Sequence, residues 1–436
     1  MIRYHEALSL LNSEARDRSR FLEVASVSLG DASGRVTSSA VHAREWVPAH
    51  DNSAMDGFAV RAKDLAPGKN QFRVFGRMIA GDLPLVGASD EFSSDSFGSE
   101  PLAIEIMTGA LMPREDFDSV VKVEDCERVR NPDGSESIRF EASAADASFV
   151  RKRGTDFKPG DLIVPPGARL DAQWILGLAA HGFSQVDVFR KPRVAVISTG
   201  NELVDHDQSI LAPGEIRNST APFLMLELRR LGCEVQSFGT IRDEAASAIP
   251  GRSLEFEAAL QTALSEEFDL ILTTGAVSMG VHDFVGDAIR EKGGEVVFHR
   301  VAIKPGKPVL LARFQSHPRS LVLGLPGNPV STVVGTHFFV EPYLRTLQGM
   351  EPKKSIWARL ESAVSRPPGL RSFFKAEWKV SSDGESGVRL LPGQASFMIH
   401  SLGQANAWVV LPEEGDLKPG SLLEVYPFSM EGQKTT

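Results

Sequence analysis

Three short segments of this chain combine Gly, small hydroxyl residues and Lys at the ends of apolar runs. They are TTGAVSMGVHDF (273–284), KPGKP (304–308) and GLPGNPVS (324–331). Backbone N–H groups beside Gly can approach an anion closely, and Lys adds positive charge, so this composition is typical of phosphate binding. One Gly turn after a strand is usually only a turn. Three such turns in one unit favour a ligand that contains a phosphate.

Polar and glycine residues also stand where two strand-like runs, RVAVI (193–197) and FDLIL (268–272), come to an end. In an open parallel sheet, ligands bind at the carboxyl ends of the strands. We therefore predict one ligand-binding rim, formed by Ser198, Thr199, Gly200, Thr274, Gly275, Ser278 and Gly280. Ser278 has a simpler alternative role, because a serine at that point can also cap the helix that follows.

Three acidic residues follow strands of the same unit: Glu202, Asp243 and Asp283. Carboxylates beside a phosphate site often hold Mg²⁺, which keeps water and phosphate oxygens as its other ligands. Helix capping is the alternative, since Asp243 and Asp283 would also suit a helix N-terminus. The set of three favours a magnesium site more than any single residue does.

Two lysines, Lys304 and Lys307, flank one Pro-Gly turn between apolar strands. We expect them to bind phosphate or another oxyanion, with solubility alone as the alternative. The GLPGNPVS turn adds the candidates Pro326, Gly327, Asn328, Pro329 and Ser331. Pro329 suits a helix start whatever the function, whereas the Asn328 amide has donors and acceptors available for a ligand.

A second polar cluster lies in the N-terminal part of the chain. DNSAMDGFAV (51–60) is dense in small residues around Asp56, and EIMTGALMP (105–113) is a strand that ends in Thr108 and Gly109. By itself the first motif indicates only a tight turn.

Apolar periodicity divides the chain into regions of different type. Residues 1–20 have the stripe of an amphipathic helix, 51–149 contain short β runs, 190–348 alternate strands with helices, and 349–436 return to β alternation. This pattern predicts a multidomain α/β plus β fold: a doubly wound, mostly parallel α/β domain and two β-rich domains.

Two helices of the α/β region have specific predicted boundaries. STAPFLMLELRRLG (219–232) is predicted as a helix capped by Ser219 or Thr220, and NPVSTVVGTHFFVEPYLRTL (328–347) as the closing helix. The remaining segments, 1–50 and 150–189, show no obvious core of their own. We expect them to form an elongated linker that supplies the contacts of a homodimer.

Bulk properties exclude several classes of protein. The chain has 436 residues, a formal net charge of −10 and two cysteines without metal-ligand spacing. The acidic balance argues mildly against nucleic acid, and no apolar run is long enough to cross a membrane. The charged N-terminus lacks the features of a signal peptide, and the cysteine usage fits a reducing compartment. We therefore expect a cytoplasmic protein.

Ten segments occur in one order between residues 51 and 331: DNSAMDGFAV, GRMIAGD, EIMTGALMP, SVVKVED, RKRGTDFKPGD, ISTGNEL, IRNST, TTGAVSMGVHDF, KPGKPV and GLPGNPVS. In these segments, and in ASFMIHSLGQANAWVVLPE (395–413), the chain resembles the molybdopterin molybdotransferase family of bacterial MoeA type, which also forms the C-terminal domain of gephyrin. The resemblance implies four domains, at 1–50 with 150–189, 51–149, 190–348 and 349–436, and an elongated homodimer.

The implied reaction uses adenylylated molybdopterin and molybdate with Mg²⁺, hydrolyses the adenylate, releases AMP and yields molybdenum cofactor. By position, Glu202, Asp243 and Asp283 resemble acidic cleft residues of the family, which would hold the metal. Lys304 and Lys307 resemble its anion-binding lysines, Pro326 and Pro329 its cleft prolines, and Asp56 with Thr108 the residues donated across the dimer.

The chain departs from the usual family pattern at Ala276, Val281 and His282, where a glycine, an acidic residue and often an aromatic residue are expected. Two other functions share parts of this pattern: a molybdopterin adenylyltransferase and a non-catalytic scaffold. The β-rich regions favour the transferase over the first, and the retained acids and lysines favour an enzyme over the second. Partners implied are the adenylyltransferase and the apoenzymes that accept the cofactor. The choice between molybdate and tungstate stays open.

Overall fold

The computed structural model describes residues 1–65, 71–83, 101–146, 149–242, 253–276 and 284–428. The chain divides into two compact units. The larger unit comprises Met1–Ser39, Pro166–Asp171 and Gln185–Thr436, and the inserted unit comprises Ala40–Pro165 and Ala172–Ser184. Within the described ranges, we find no helix with the length and apolar character that a membrane span requires.

The helices of the described residues are short apart from the first. The α-helices are α1 (Tyr4–Ser19), α2 (Ala172–Ala180), α3 (Thr220–Arg230), α4 (Leu254–Ser265), α5 (Phe284–Glu291), α6 (Pro329–Gly335), α7 (Glu341–Leu347) and α8 (His400–Gln404). Single 3₁₀ turns occur at Leu29–Asp31, Ala62–Asp64, Val123–Asp125 and Ala142–Ala144, and a π-helical turn at Thr336–Val340.

The strands of the chain fall into sheets that lie within one unit or the other. Those of the first half are β1 (Val24–Ser28), β2 (Val41–His42), β3 (Asn52–Ser53), β4 (Gly57–Val60), β5 (Gln71–Met78), β6 (Leu102–Ile106), β7 (Ser119–Lys122), β8 (Glu127–Arg130), β9 (Glu136–Arg139), β10 (Val150–Arg151), β11 (Leu162–Val164), β12 (Gln185–Phe189) and β13 (Arg193–Thr199). Those of the second half are β14 (Leu203–Val204), β15 (Ile216–Arg217), β16 (Glu234–Ile241), β17 (Leu270–Thr274), β18 (Gly294–His299), β19 (Ile303–Lys304), β20 (Leu310–Phe314), β21 (Leu321–Leu325), β22 (Ile356–Leu360), β23 (Arg371–Val380), β24 (Ser386–Leu390), β25 (Ala407–Leu411) and β26 (Leu422–Pro427).

The central sheet of the larger unit has the strand order β16-β13-β17-β21-β20-β18. The first four strands are parallel, and β20 runs antiparallel to both of its neighbours. From β13 the chain passes through α3 to β16 on one side, and then through α4 to β17 on the other side. The topological switch point, where ligands bind in such sheets, therefore lies between β13 and β17.

Alternate residues of β13 face two different hydrophobic cores. Val194 and Val196 pack in one cluster with residues of α3, whereas Ala195 and Ile197 pack in another with residues of α4 and α5. Helices therefore cover both faces of the sheet, and strands buried on both sides read as continuous apolar runs. The predicted doubly wound, mostly parallel α/β domain is confirmed.

The predicted closing helix over 328–347 is present from Pro329 to Leu347, with a π-helical turn at Thr336–Val340 in its middle. Helix α6 passes into the π-helical turn and then into α7, which has Pro342 near its start. Proline lacks the N–H that would bond to the carbonyl of Phe338 four residues earlier. The hydroxyl of Tyr4 on α1 donates to this oxygen at 3.3 Å and so satisfies it. The missing helical hydrogen bond thus has a local cause, Pro342, and it is compensated by Tyr4 from a distant part of the chain.

The C-terminal sheet of the larger unit closes into a small barrel. Strand β23 pairs with β24 and with β25, β26 pairs with β25 and with β22, and β22 pairs with β24. Closure removes the free sheet edges, and the inward residues form a compact core.

The inserted unit is built on a mixed six-stranded sheet in the order β7-β4-β6-β5-β9-β8. Phe58 and Val60 of β4 pack in one apolar cluster and Ala59 in another, so this strand is covered on both faces. The predicted β-rich character of this part of the chain is confirmed, and the sheet positions the turns that contain Asp56 and Thr108.

Candidate functional site

Buried hydroxyl groups stand at the switch point of the central sheet. Ser198 and Thr199 end β13, and Thr273 and Thr274 end β17, each with at most 3% of its surface exposed. The Thr199 hydroxyl donates to the Thr274 carbonyl at 3.2 Å. The hydroxyls of Ser198, Thr273 and Thr274 make no hydrogen bond within the described part of the chain. Since buried hydroxyls are normally paired, these groups fit a polar ligand at this edge.

The turn after β17 requires Gly275. Its φ angle is +91°, and a Cβ atom at this position would lie 2.3 Å from the Thr199 carbonyl oxygen. The Gly275 N–H donates to the Leu325 carbonyl at 3.1 Å, which ties the turn to the end of β21. Close approach of the ends of β13, β17 and β21 therefore depends on a residue without a side chain.

The GLPGNPVS turn lies against the turn after β17. A Cβ atom on Gly327 would be 3.4 Å from the Cα atom of Gly275. The Thr332 hydroxyl donates to the Pro326 carbonyl at 2.7 Å, and Pro329 occupies the first turn of α6. The exposed Asn328 side chain does not cap this helix. The availability of its amide to a ligand stays a prediction from the sequence.

The KPGKP turn meets the start of α6 on its other side. Gly306 has a φ of +97°, and a Cβ atom there would lie 3.6 Å from the Ser331 carbonyl oxygen. Pro305 and Gly306 are buried, whereas Lys304 and Lys307 are exposed. Neither lysine has an ion-pair partner among the residues that the structure describes. Within the described ranges, two positive charges without ion-pair partners thus flank the turn at Gly306.

Glu202 supplies negative charge at the end of β13. A Cβ atom on Gly200 would lie 2.9 Å from Oε2 of Glu202, so the carboxylate sits over the backbone that continues from Thr199. The side chain is exposed and forms no ion pair in the described ranges. A carboxylate at the end of this strand is the kind of hard oxygen ligand that Mg²⁺ prefers.

Several predicted site residues lie outside the described residues. They are Asp243, Ser278, Gly280 and Asp283, together with Val281 and His282. Of the three acids predicted to bind metal, the structure therefore positions Glu202. A search of the described residues finds no group of three or more His, Cys, Asp or Glu arranged to hold a metal ion.

The second polar cluster brings two distant motifs together within the inserted unit. Thr108 donates to Oδ1 of Asp56 from its backbone N–H at 2.6 Å and from its hydroxyl at 2.9 Å. These two hydrogen bonds, the backbone one first, hold the pKa of the exposed Asp56 carboxyl below its usual range. Asp56 is thus an ionised carboxylate held in one orientation.

One part of the rim was missed by reasoning from the sequence. The backbone N–H of Val330, in the first turn of α6, donates to the carbonyl of Ser396 at 3.0 Å. Ser396, which follows strand β24 in the C-terminal barrel, therefore lies at the edge of the candidate site. The segment 395–413, which contains Ser396, is one of those that carry the family resemblance, but no periodicity or spacing singles out a residue within it.

Together, the fold and the rim define a multidomain α/β protein with a β-rich inserted unit and a C-terminal barrel. Comparison with known proteins agrees with this class. Residues 2–182 match the family model "MoeA N-terminal region (domain I and II)", residues 195–346 match "Probable molybdopterin binding domain", and residues 357–428 match "MoeA C-terminal region (domain IV)".

Relatives and a solved structure match over nearly the full length. The chain is 36% identical to the molybdopterin molybdenumtransferase of Synechococcus elongatus, over 98% of this chain and 99% of that protein. It is 33% identical to the enzyme of the same name from Haemophilus influenzae, over 92% and 93%. The molybdopterin biosynthesis MoeA protein of Pyrococcus horikoshii has a similar structure, with a TM-score of 0.73, 29% identity and coverage of 98% and 99%. The chain belongs to the molybdopterin molybdenumtransferase family, as the sequence resemblance indicated.

Proposed function

We propose that this protein inserts molybdenum from molybdate into adenylylated molybdopterin, with hydrolysis of the adenylate and release of AMP. The observation that supports this reaction most directly is the close approach of the glycine turns at Gly200, Gly275 and Gly327, with the turn of Lys304 and Lys307 packed against the helix that follows Gly327. The reaction has two anions to hold, the oxyanion and the phosphoanhydride. The family membership supplies the identity of the molecule that bears them.

Positioning and charge neutralisation are the chemistry this rim offers. Lys304 and Lys307 would hold molybdate and phosphate oxygens, because charge-assisted hydrogen bonds to an ammonium are short and strong. The orphaned hydroxyls of Ser198 and Thr274 and the Asn328 amide would orient the organic part of the substrate. Groups fixed before the reaction stabilise developing charge without reorganisation, which is how a phosphoanhydride is usually cleaved.

The Glu202 carboxylate has no ion-pair partner among the described residues and fits a divalent cation, and we propose that Glu202, Asp243 and Asp283 hold Mg²⁺. When bound, the ion would neutralise phosphate and molybdate charge. Lys304 and Lys307 would keep the anions beside it, and the buried strand ends would limit the access of water.

We further propose a homodimer in which Asp56 and Thr108 of one subunit serve the site of the other. The support is chemical: Asp56 is an exposed carboxylate held in place by Thr108, although no ion pair explains its arrangement in the described ranges. The division into four domains and the protein partners, the adenylyltransferase and the cofactor-accepting apoenzymes, stay predictions.

The test of the reaction follows AMP release from adenylylated molybdopterin with Mg²⁺ and molybdate. We expect AMP and molybdenum cofactor to form together, and both to fall with Lys307→Ala. AMP release without formation of molybdenum cofactor would contradict the proposal. So would the absence of AMP release with both molybdate and tungstate.

The shared site has a separate test. Asp56→Ala and Asp283→Ala proteins should each be nearly inactive, and mixed dimers should regain part of the activity, since one of their two sites is intact. Inactive mixed dimers, verified by mass, would place all of these residues in a site within one chain.

A further inference from the structure

We infer that Phe397 contacts the substrate and that its ring stacks on a planar heterocycle of the bound ligand. The inference rests on the proposed function, since adenylylated molybdopterin has two such heterocycles, the adenine and the pterin. Phe397 belongs to the loop of residues 393–399, which we term the barrel loop.

The barrel loop borders the rim of the candidate site. The carbonyl of Ser396 accepts a hydrogen bond of 3.0 Å from the N–H of Val330, two residues after Asn328. Phe397 follows Ser396 directly, and consecutive Cα atoms are about 3.8 Å apart. The backbone of Phe397 therefore lies beside the first turn of α6, close to the Gly327–Asn328 turn.

A buried lysine fixes the loop. Lys375 on β23 has 0% of its surface exposed, and its ammonium donates to the carbonyls of Gly393 at 2.5 Å and Met398 at 2.9 Å. The Ser401 hydroxyl donates to the same Gly393 carbonyl at 2.8 Å. Gln394 bonds the backbone of Lys375 through both ends of its amide, at 3.0 and 2.8 Å.

This clamp has an energetic cost. Burial of a cation is unfavourable, and it lowers the pKa of Lys375. The carbonyl oxygens of Gly393 and Met398 compensate part of this cost by accepting hydrogen bonds from the ammonium. These hydrogen bonds fix one conformation of the barrel loop and hold its tip in place. A binding surface requires such a fixed backbone.

The tip of the loop is apolar and open. Phe397 is 68% exposed, Ile399 53% and Met398 39%. Oxyanions and phosphates do not bind such a surface, because they require donors and charge. A planar heterocycle does, since aromatic rings offer a flat π-face for stacking and do so at small entropic cost when their backbone is fixed.

The test compares the affinity of three probes for the full-length protein: AMP, molybdopterin and molybdate. Phe397→Ala should weaken binding of AMP or of molybdopterin by roughly 5- to 100-fold, the range expected for loss of one stacking partner. Molybdate affinity should not change, and Phe397→Trp should retain the wild-type affinities. The matched control is Trp357→Ala, which removes an aromatic residue that is 53% exposed on β22 of the same barrel.

The two heterocycle probes separate the sources of the stacking. Selective loss for AMP would assign the adenine to Phe397, and selective loss for molybdopterin would assign the pterin. Unchanged affinity for both AMP and molybdopterin in a correctly folded Phe397→Ala protein would overturn the inference. The proposed function would still stand if the wild-type protein released AMP and formed cofactor. If the wild type forms no cofactor but still binds AMP through Phe397, the proposed function fails and the stacking role stands.

Discussion

The carboxylate of Asp56 and the residue Thr108 form a two-point contact, with the backbone N–H and the hydroxyl of Thr108 donating to the same oxygen at 2.6 and 2.9 Å. The two residues lie 52 positions apart in the chain. The contact leaves the second carboxylate oxygen of Asp56 without a partner among the described residues. One oxygen therefore fixes the group, and the other is available to act.

The first prediction concerns the titration of Asp56. Thr108→Val removes the hydroxyl but keeps the backbone N–H, so the pKa of Asp56 should rise part of the way toward its ordinary value of about 3.9. Because the folded pKa is depressed, its contribution to stability is present above the ordinary pKa and is lost as pH falls through the lower folded value. Carbon NMR of the labelled carboxyl measures the shift.

Thr155→Val is the control for this titration, since the Thr155 hydroxyl donates to the Lys152 carbonyl and not to Asp56. It should leave the Asp56 midpoint where it is in the wild type. If the Asp56 midpoint in the Thr108→Val protein equals that of the wild type, the Thr108 hydroxyl contributes nothing to the lowered pKa of the carboxyl.

The second prediction concerns Ala276, which has a φ of +45° directly after Gly275. An L-residue with a Cβ atom is disfavoured by about 1–2 kcal/mol in this region. Replacement by glycine removes this strain, but the larger conformational entropy of glycine in the unfolded chain offsets part of the stabilisation. Ala276→Gly should therefore raise the free energy of unfolding by roughly 0.5–1 kcal/mol in urea titrations. Ala258→Gly on α4 is the opposite control and should lower it by about 1 kcal/mol. A loss of stability in both would mean that the methyl packing of Ala276 outweighs its strain.

The third prediction separates binding from folding at the KPGKP turn. Lys307→Ala should leave the melting temperature almost unchanged, because exposed lysines contribute little to stability. The molybdate concentration needed for half-maximal AMP release should rise roughly 10- to 100-fold, as loss of a charge-assisted bond implies. Lys307→Arg should rescue only in part, since a planar fork differs in shape from a compact ammonium.

Lys418→Ala, an exposed lysine of the barrel, removes the same charge elsewhere on the larger unit. It should alter neither the melting temperature nor the dependence on molybdate. If Lys307→Ala destabilised the protein and left molybdate saturation as before, the turn would be structural.

The fourth prediction identifies an acid that stabilises the fold and takes no part in the site. Asp269 is 2% exposed and forms a two-point ion pair with Arg190 at 2.7 Å for both contacts, and it also accepts the N–H of Arg193 at 2.7 Å. Asp269→Asn should lower the free energy of unfolding by about 3–5 kcal/mol, because it leaves Arg190 without its charge partner.

The control is Asp287→Asn, which breaks the exposed pair of Asp287 with Arg290 at 2.7 Å and should cost less than about 1 kcal/mol. Below its melting temperature, the Asp269→Asn protein should still saturate with molybdate as the wild type does. A changed molybdate affinity would connect this pair to the site after all.

The sequence was sufficient to predict the elements that build the rim. Strands β13, β17 and β21 are apolar runs with distinct turn residues at their ends, and both of these signals are local. Local signals also placed Gly275 and Gly327 in tight turns, and the structure brings these two glycines into contact. The same logic failed at the start of α3, where Asn218 and not Ser219 accepts the N–H of Ala221 at 3.0 Å.

Features that depend on distant parts of the chain were not predictable. The π-helical turn before Pro342 is stabilised by Tyr4, and the barrel loop is positioned by Lys375 and Val330. A lysine in the alternating pattern of β23 reads as a solvent-facing residue, although Lys375 is fully buried. Contacts of this kind come from tertiary packing, for which one sequence contains no periodic signal.

The contact between Tyr4 and Phe338 also has a consequence for biosynthesis. Tyr4, Leu11 and Tyr343 belong to one buried cluster, yet Phe338 follows Tyr4 by 334 residues. At a translation rate of roughly 5–20 residues per second, the ribosome takes about 20 to 70 s to cover that distance. During this interval the apolar stripe of α1 emerges without its partners, while residues 40–165 of the inserted unit are already available to fold. We expect this helix to be a segment that chaperones bind on the nascent chain.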